Sequence, residues 1–239
     1  MIKWLEDAVF YEVYPQSFRD SNGDGIGDIP GITEKLEYIQ ELGCNALWIN
    51  PCFTSPFYDA GYDVEDYYSV APRYGTNEDL KKLFEAAHQR GMHVLLDLVP
   101  GHTAVTHPWF QESMKAEKNE YTDRYVWTDS LYKRMEDVKG IVSVLRGISP
   151  RPASCGVNCF STQPALNYGF ANITDAGWQQ PTDAPGPMAT REELKNIMRF
   201  WLTLGCDGFR VDMAGSLVKN DEDKKETIRL WQDVRAFFE

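Results

Sequence analysis

Apolar residues at helical spacing alternate with short apolar runs along much of the chain. Ile32, Leu36 and Ile39 share one face of a helix that stops at Gly43, and Asn45 to Asn50 (NALWIN) then reads as a strand. Thr76 to Asp79 has the form of a capping box, and Leu80, Leu83, Phe84 and Ala87 mark the buried face of the helix it opens. After Gly91, Met92 to Val99 (MHVLLDLV) is a nearly continuous apolar strand. Thr190 to Glu193 predicts a second capping box, followed by Leu194, Ile197, Met198, Trp201 and Leu202 on one face and by Gly205. The first strand is expected at Ala8 to Tyr14 (AVFYEVY) and the fourth at Gly208 to Asp212 (GFRVD). Each glycine suits the left-handed position that ends a helix. Strands separated by helices predict parallel βαβ units with both faces covered, an α/β class whose polar site residues gather at the C-terminal strand ends. Between the third strand and the third helix, Thr103 to Leu166 keeps no helical period and is expected to be a subdomain or lid.

The strand ends carry the chemistry. Arg210 and Asp212 stand two residues apart on a strand and so point the same way, where a guanidinium holds a carboxylate ionised. Alone, the pair fits a strand-end salt bridge better than a nucleophile. Asp59, Tyr62 and Asp63 follow the second strand, while Asp97 and His102 close the third. Carboxylates and an imidazole beside aromatic rings describe a sugar site. Separately, Asp20 to Asp28 (DSNGDGIGD) sets oxygen donors at alternate positions with a glycine for the sharp turn, as in the first part of a calcium loop. An EF-hand needs Glu at the twelfth position, and Gly31 stands there. A structural Ca²⁺ is expected.

Charge narrows the partners. With 24 basic and 36 acidic residues the formal net charge is −12, which argues against nucleic acid and for a neutral substrate or a cation. No apolar run approaches a membrane span, and no basic segment followed by an apolar stretch opens the chain. The five cysteines are an odd number, and reduced thiols in the cytoplasm is the simplest account. Cys155 and Cys159 lack a second ligand pair at zinc spacing.

Six stretches, taken together, resemble the α-amylase family (glycoside hydrolase family 13), in its oligo-1,6-glucosidase, α-glucosidase and trehalose synthase branch. They are Tyr11 to Phe18 (YEVYPQSF), Asp20 to Asp28 (DSNGDGIGD), Ser55 to Tyr67 (SPFYDAGYDVEDY), Asp97 to His102 (DLVPGH), Gln163 to Asn167 (QPALN) and Gly208 to Asp212. The resemblance implies the N-terminal half of a (β/α)8 TIM barrel: four βα units, with a domain B inserted after the third strand. Residues 1–102 and 167–239 would belong to the barrel and 103–166 to domain B. It implies Asp212 as the nucleophile that forms a β-glycosyl–enzyme intermediate, with Arg210 beside it and Asp97 orienting Arg210. Asp59, Tyr62, His102, Arg210 and Gln163 would bind an α-glucoside or oligosaccharide. Asp20, Asn22, Asp24, Ile26 and Asp28 would hold Ca²⁺.

Three departures qualify the resemblance. Gly101 stands where Asn is usual, and Ala165 where Asp is usual. Met213 follows the nucleophile and matches neither common choice. The family's acid/base Glu, its transition-state Asp and its second histidine would all fall beyond Glu239, so residues 1–239 are expected to be nearly inert and to self-associate through an open half-barrel. A trehalose synthase-type isomerase, or a non-catalytic relative that binds sugar or calcium, fits the same residues.

Overall fold

The protein is described from a computed structural model covering residues 2–239. Its strands are β1 (Phe10–Val13), β2 (Ala46–Ile49), β3 (Phe53–Thr54), β4 (Asp66–Val70), β5 (His93–Leu98), β6 (Ser143–Leu145), β7 (Cys155–Val157) and β8 (Gly208–Val211). Four of them form one sheet in the order β1-β2-β5-β8, every neighbouring pair parallel. These are the four strands of a partial (β/α) barrel, found where the apolar runs place them. Each ladder is a residue or two shorter at its ends than its apolar run. Hydrogen bonding, not hydrophobicity, sets where a strand stops.

Helices alternate with the strands along the chain. The first is α1 (Lys3–Glu6), then α2 (Pro15–Phe18), α3 (Ile29–Glu34) and α4 (Leu36–Glu41). The face predicted from Ile32, Leu36 and Ile39 is fully buried, yet it lies on two short helices that meet at Lys35. Next is α5 (Asn77–His88), with a complete capping box: Asp79 N donates to Thr76 Oγ1, and Thr76 N donates back to Asp79 Oδ2 at 3.0 Å. Then come α6 (Pro108–Ser113), α7 (Pro185–Leu204) and α8 (Lys225–Phe238).

The second predicted capping box is corrected. The α7 helix begins at Pro185, so Thr190 lies inside it, where its Oγ1 donates to Gly186 O at 3.1 Å. A Thr hydroxyl inside a helix bonds back one turn instead of capping. The proline-rich run before it supplied a start that the Thr-to-Glu spacing hid.

Two compact units divide the chain. One comprises the residues up to Ser55, Asp66–Leu98 and Met198–Val211, and holds the parallel sheet. Alternation splits that sheet sharply. Leu47, Ile49, Val94, Leu96 and Leu98 are at or near zero exposure, which matches the buried apolar faces of α3, α4 and α5. The opposite face carries Phe10, Glu12, Trp48, Asp97 and Arg210, and Phe10 at its edge is 37% exposed. At the other end of the strands, Asp207 accepts from Val94 N, His88 Nε2 and His93 Nδ1 at 2.8 to 3.0 Å, stapling the entry to β8 onto β5. Trp201 is fully buried, stacks on Phe53 at 5.0 Å and donates its Nε1–H to Tyr67 O at 2.8 Å.

The other unit comprises Pro56–Glu65, Val99–Ile197 and Asp212–Glu239. It has its own core, built from Val126, Met135, Val138, Ile141, Ala165 and Phe170. In it β6 and β7 pair antiparallel, and Phe110 packs against Tyr125 and Trp127. All five cysteines are free. Among the described residues, no helix is long and apolar enough to cross a membrane.

Among the described residues β1 and β8 each have one strand neighbour, which leaves one backbone edge of each without a ladder. Such edges template pairing with another chain. The 239-residue chain is therefore expected to self-associate. Sedimentation velocity across a dilution series should show weight-average mass rising with concentration; a concentration-independent monomer would refute this.

Candidate active site

In the sheet-bearing unit, Asp97 and Arg210 are direct register partners across β5 and β8. The Asp97 side chain is completely buried, and a carboxylate there costs several kcal/mol unless it is paired. Arg210 supplies the pair, its guanidinium donating to Asp97 Oδ1 at 3.0 Å. Trp48, on β2, donates its Nε1–H to the other oxygen at 2.9 Å. The same Trp48 ring lies 5.0 Å under the Arg210 guanidinium, a cation–π contact. Three strands thus meet in one charged cluster. Trp48 had no role in the sequence reading, because on paper it is one apolar residue in an apolar run.

The remaining candidates lie in the other unit. Asp59 lies in a loop in which Phe57, Ala60 and Gly61 all have positive φ, at 60°, 53° and 99°. Two of these are not glycine, so the turn is strained and something must hold it. Asp63 does so: fully buried, it accepts from Tyr58 N at 2.8 Å and from Asp59 N at 3.1 Å. Tyr62 N closes the loop on Asp59 O at 2.8 Å. Gln163 is buried, takes Phe160 N on Oε1 at 2.9 Å and donates Nε2–H to Asp59 Oδ2 at 2.6 Å. It grips Asp59. Burial pushes the Asp59 carboxyl up, Gln163 opposes, and the Asp63 and Asp212 charges push it up further.

His102 is 2% exposed. Its Nε2 lies 3.0 Å from Tyr62 O and its Nδ1 3.1 Å from Asn158 Nδ2. A carbonyl can only accept, so the ring carries its proton on Nε2 and is neutral. Burial depresses its pKa to about 4, against the pull of the Tyr62 carbonyl and of Asp212 and Asp63. Asp212 itself is half-buried in the turn just after β8, and Met213 beyond it holds φ at 47°. Asp59, Tyr62, Asp63, His102, Gln163 and Asp212 are thus brought into one unit, where Asp59 and His102 each feel the charges of Asp63 and Asp212. Sequence reading gave no role to Asn158 or Lys219, since neither belongs to a recognisable motif.

The loop from Asp20 to Asp28 is ordered by its own hydrogen bonds. Asp20 accepts from Gly23 N at 2.6 Å and Gly25 N at 2.8 Å, which hold its carboxyl below the ordinary range. Asn22 and Asp24 each accept from the N–H two residues on. Asp28 takes Ser21 on one oxygen and caps α3 through Gly31 N on the other. A Cβ at Gly27 would stand 2.1 Å from Pro15 O, so only glycine fits there. The donor set is all hard oxygen, which suits calcium. Among the described residues, however, no three His, Cys, Asp or Glu side chains converge on a point, as a preformed cage would require.

Comparison with known proteins places these residues in context. The family profile described as the alpha-amylase catalytic domain matches residues 12–236. An oligo-1,6-glucosidase of Bacillus sp. (strain F5) is 38% identical over 92% of this chain and 40% of its own length. A trehalose synthase/amylase of Mycolicibacterium smegmatis is 41% identical over 94% of this chain and 36% of its own. A solved trehalose-6-phosphate hydrolase of Bacillus licheniformis superposes with a TM-score of 0.74 at 36% identity, covering 90% of this chain and 36% of that one. The chain thus spans well under half the length of these relatives.

The buried neutral His102 makes stability depend on pH. Between the unfolded value of 6.5 and the folded value of about 4 the unfolded state binds more protons, so this contribution is complete above pH 6.5 and is lost on acidification toward pH 4. The loss is on the order of 3 kcal/mol. In urea melts across that range, His102→Gln should flatten the acid-side slope; an unchanged slope would refute the burial argument.

Proposed function

The chain belongs to the α-amylase family, and from that premise we propose that it acts on α-glucosides as a retaining glycosidase or transglycosidase with Asp212 as the nucleophile. The observation that supports this reading is that Asp59 and His102 each lie in the field of Asp63 and Asp212, with His102 kept neutral by burial. The Asp212 carboxylate attacks the anomeric carbon and the glycosidic C–O bond breaks, its oxygen taking a proton from an acid. Water or a sugar hydroxyl then attacks the glycosyl ester, giving up its proton to the same group, and Asp212 is released with configuration retained. Asp59, Tyr62, His102 and Gln163 would form the sugar-binding side, and Arg210, oriented by Asp97, keeps positive charge two residues from the nucleophile. Residues 103–166 would be the family's domain B, between barrel residues 1–102 and 167–239.

Retaining chemistry needs a second carboxyl about 5–5.5 Å from the first. Glu239 does not suit that role: it pairs with Arg235 at 2.6 Å on an exposed helix end. We place the acid/base outside residues 1–239, which alone would turn over an unactivated glucoside slower by a factor of order 10²–10⁴. The 41% identity to a trehalose synthase/amylase favours a second reading, glucosyl isomerisation through the same intermediate; trehalose appearing from maltose would select it. The five free thiols support a cytoplasmic location.

Trapping with a fluorinated α-glucosyl donor, followed by peptide mass mapping, should label Asp212, and Asp212→Asn should abolish labelling. A label on another carboxylate would overturn the assignment.

We also propose that Asp20, Asn22, Asp24, the Ile26 carbonyl and Asp28 bind one structural Ca²⁺, supported by their donor chemistry. An ion that binds only the folded state adds about 2.7 kcal/mol at a hundredfold excess over Kd. Excess chelator should therefore lower the melting temperature, and calcium should restore it. An unchanged melting temperature, with no calcium found by elemental analysis, would mean that the loop's own hydrogen bonds suffice.

A further inference from the structure

Asn158 directly follows β7, is 2% exposed, and has its amide engaged at both ends. Its Nδ2 donates to His102 Nδ1 at 3.1 Å and approaches Met213 Sδ at 3.7 Å. Its Oδ1 accepts from Lys219 Nζ at 3.3 Å. Lys219 is fully buried, its amine donating also to Ser216 O at 2.8 Å, and burial pushes its pKa down to about 7. At the other end of the amide the Tyr62 carbonyl, which can only accept, holds the His102 proton on Nε2, so the orientation of Asn158 is set from both sides. The NH2 end then faces His102, whose Nδ1 must be the bare acceptor, and the ring proton must sit on Nε2 against Tyr62 O. The contacts run from amine to amide to imidazole to carbonyl.

Gly101 makes room for it. A Cβ built on Gly101 would lie 2.7 Å from Asn158 Nδ2, with the next atoms at 3.5 and 3.7 Å. The Gly101 φ is outside the left-handed region, so its backbone does not require glycine. The amide beside it does. Where the sequence alone leaves His102 without a polar neighbour at position 101, a residue distant in the chain provides one.

We propose that Asn158 is a positioning residue for the site: with Lys219 behind it and Gly101 admitting it, it fixes the ring and tautomer of His102 and, through Met213, the residue that follows Asp212. What His102 and Asp212 act on rests on the α-glucoside reading; the relay itself does not. The charged groups facing His102 are Asp212, Lys219 and Asp63.

The test reads tautomer and titration directly. Long-range ¹H–¹⁵N correlation spectra of the labelled 239-residue chain resolve the four histidines, with His102 assigned from His102→Gln. In the unaltered chain His102 should be protonated on Nε2 and stay neutral through the physiological range. Asn158→Leu removes the donor to Nδ1, and the His102 midpoint should rise by about one pH unit, the effect of one lost hydrogen bond to the neutral ring. Gly101→Ala keeps Asn158 but displaces its amide, and should reproduce the Nδ1 shift. The double variant should be no worse than Asn158→Leu alone, because without the amide the added methyl displaces nothing. Cys159→Ser, next in the chain, should leave His102 unchanged. A His102 spectrum and midpoint unmoved by Asn158→Leu, or an effect of Gly101→Ala that simply adds to it, would overturn the relay. Failure of Asp212 to take a glycosyl label would sink the α-glucoside reading while leaving this result standing.

Discussion

A carboxylate with no access to water is the constraint on which the sheet-bearing unit depends. The Asp97 side chain on β5 is cut off from water, so its carboxylate must be paired where it stands. Arg210 faces it across β8 in direct register, and Trp48 reaches it from β2. A one-residue slip of any of these strands would turn its contributor to the opposite face. Removing Arg210 would strand the buried Asp97 carboxylate at a cost of about 3–5 kcal/mol, whereas Arg210 itself keeps partial access to water. Apolar burial on the helix-covered face assembles the sheet, and this polar cluster on the other face selects its register.

The second unit answers a different problem, which is how to hold several carboxylates near one imidazole. Asp63 is spent on the backbone of a strained loop, where its two oxygens take the N–H groups of Tyr58 and Asp59. Asp59 is gripped by Gln163, whose other amide end is tied to Phe160 N. His102 stays neutral because burial outweighs the nearby negative charge. Asp212 is left as a half-buried carboxylate in a turn, followed by a residue in left-handed conformation.

A tight turn at the start of a helix serves the sheet-bearing unit. The Asp20 to Asp28 loop is closed by side-chain oxygens accepting N–H groups two to five residues on, and its last member caps α3. Gly27 and Gly31 press against the backbone of Pro15 and Arg19, where any Cβ would come within 2.1 Å of a carbonyl. The same residues that present hard oxygen donors therefore fix how the chain leaves β1 and enters the helices behind it.

The sequence by itself determined the four parallel strands, the α5 capping box, the grouping of polar residues after strand ends and the family. All of these follow from local periodicity or from short contiguous motifs, which a single chain displays directly. It misplaced the start of α7, because a Thr-to-Glu spacing looks the same at a helix end and inside a helix. It gave no role to Trp48, Asn158 or Lys219, because their significance lies in contacts across long separations: Trp48 with Asp97, and Asn158 with His102, Met213 and Lys219. Nor does sequence say that Gln163 is spent on Asp59, or that Gly101 is small for the sake of an amide more than fifty residues away. Periodicity decides which face of an element is apolar; only tertiary packing decides which polar atoms lose their water, and a buried polar atom takes whichever partner the fold brings within reach.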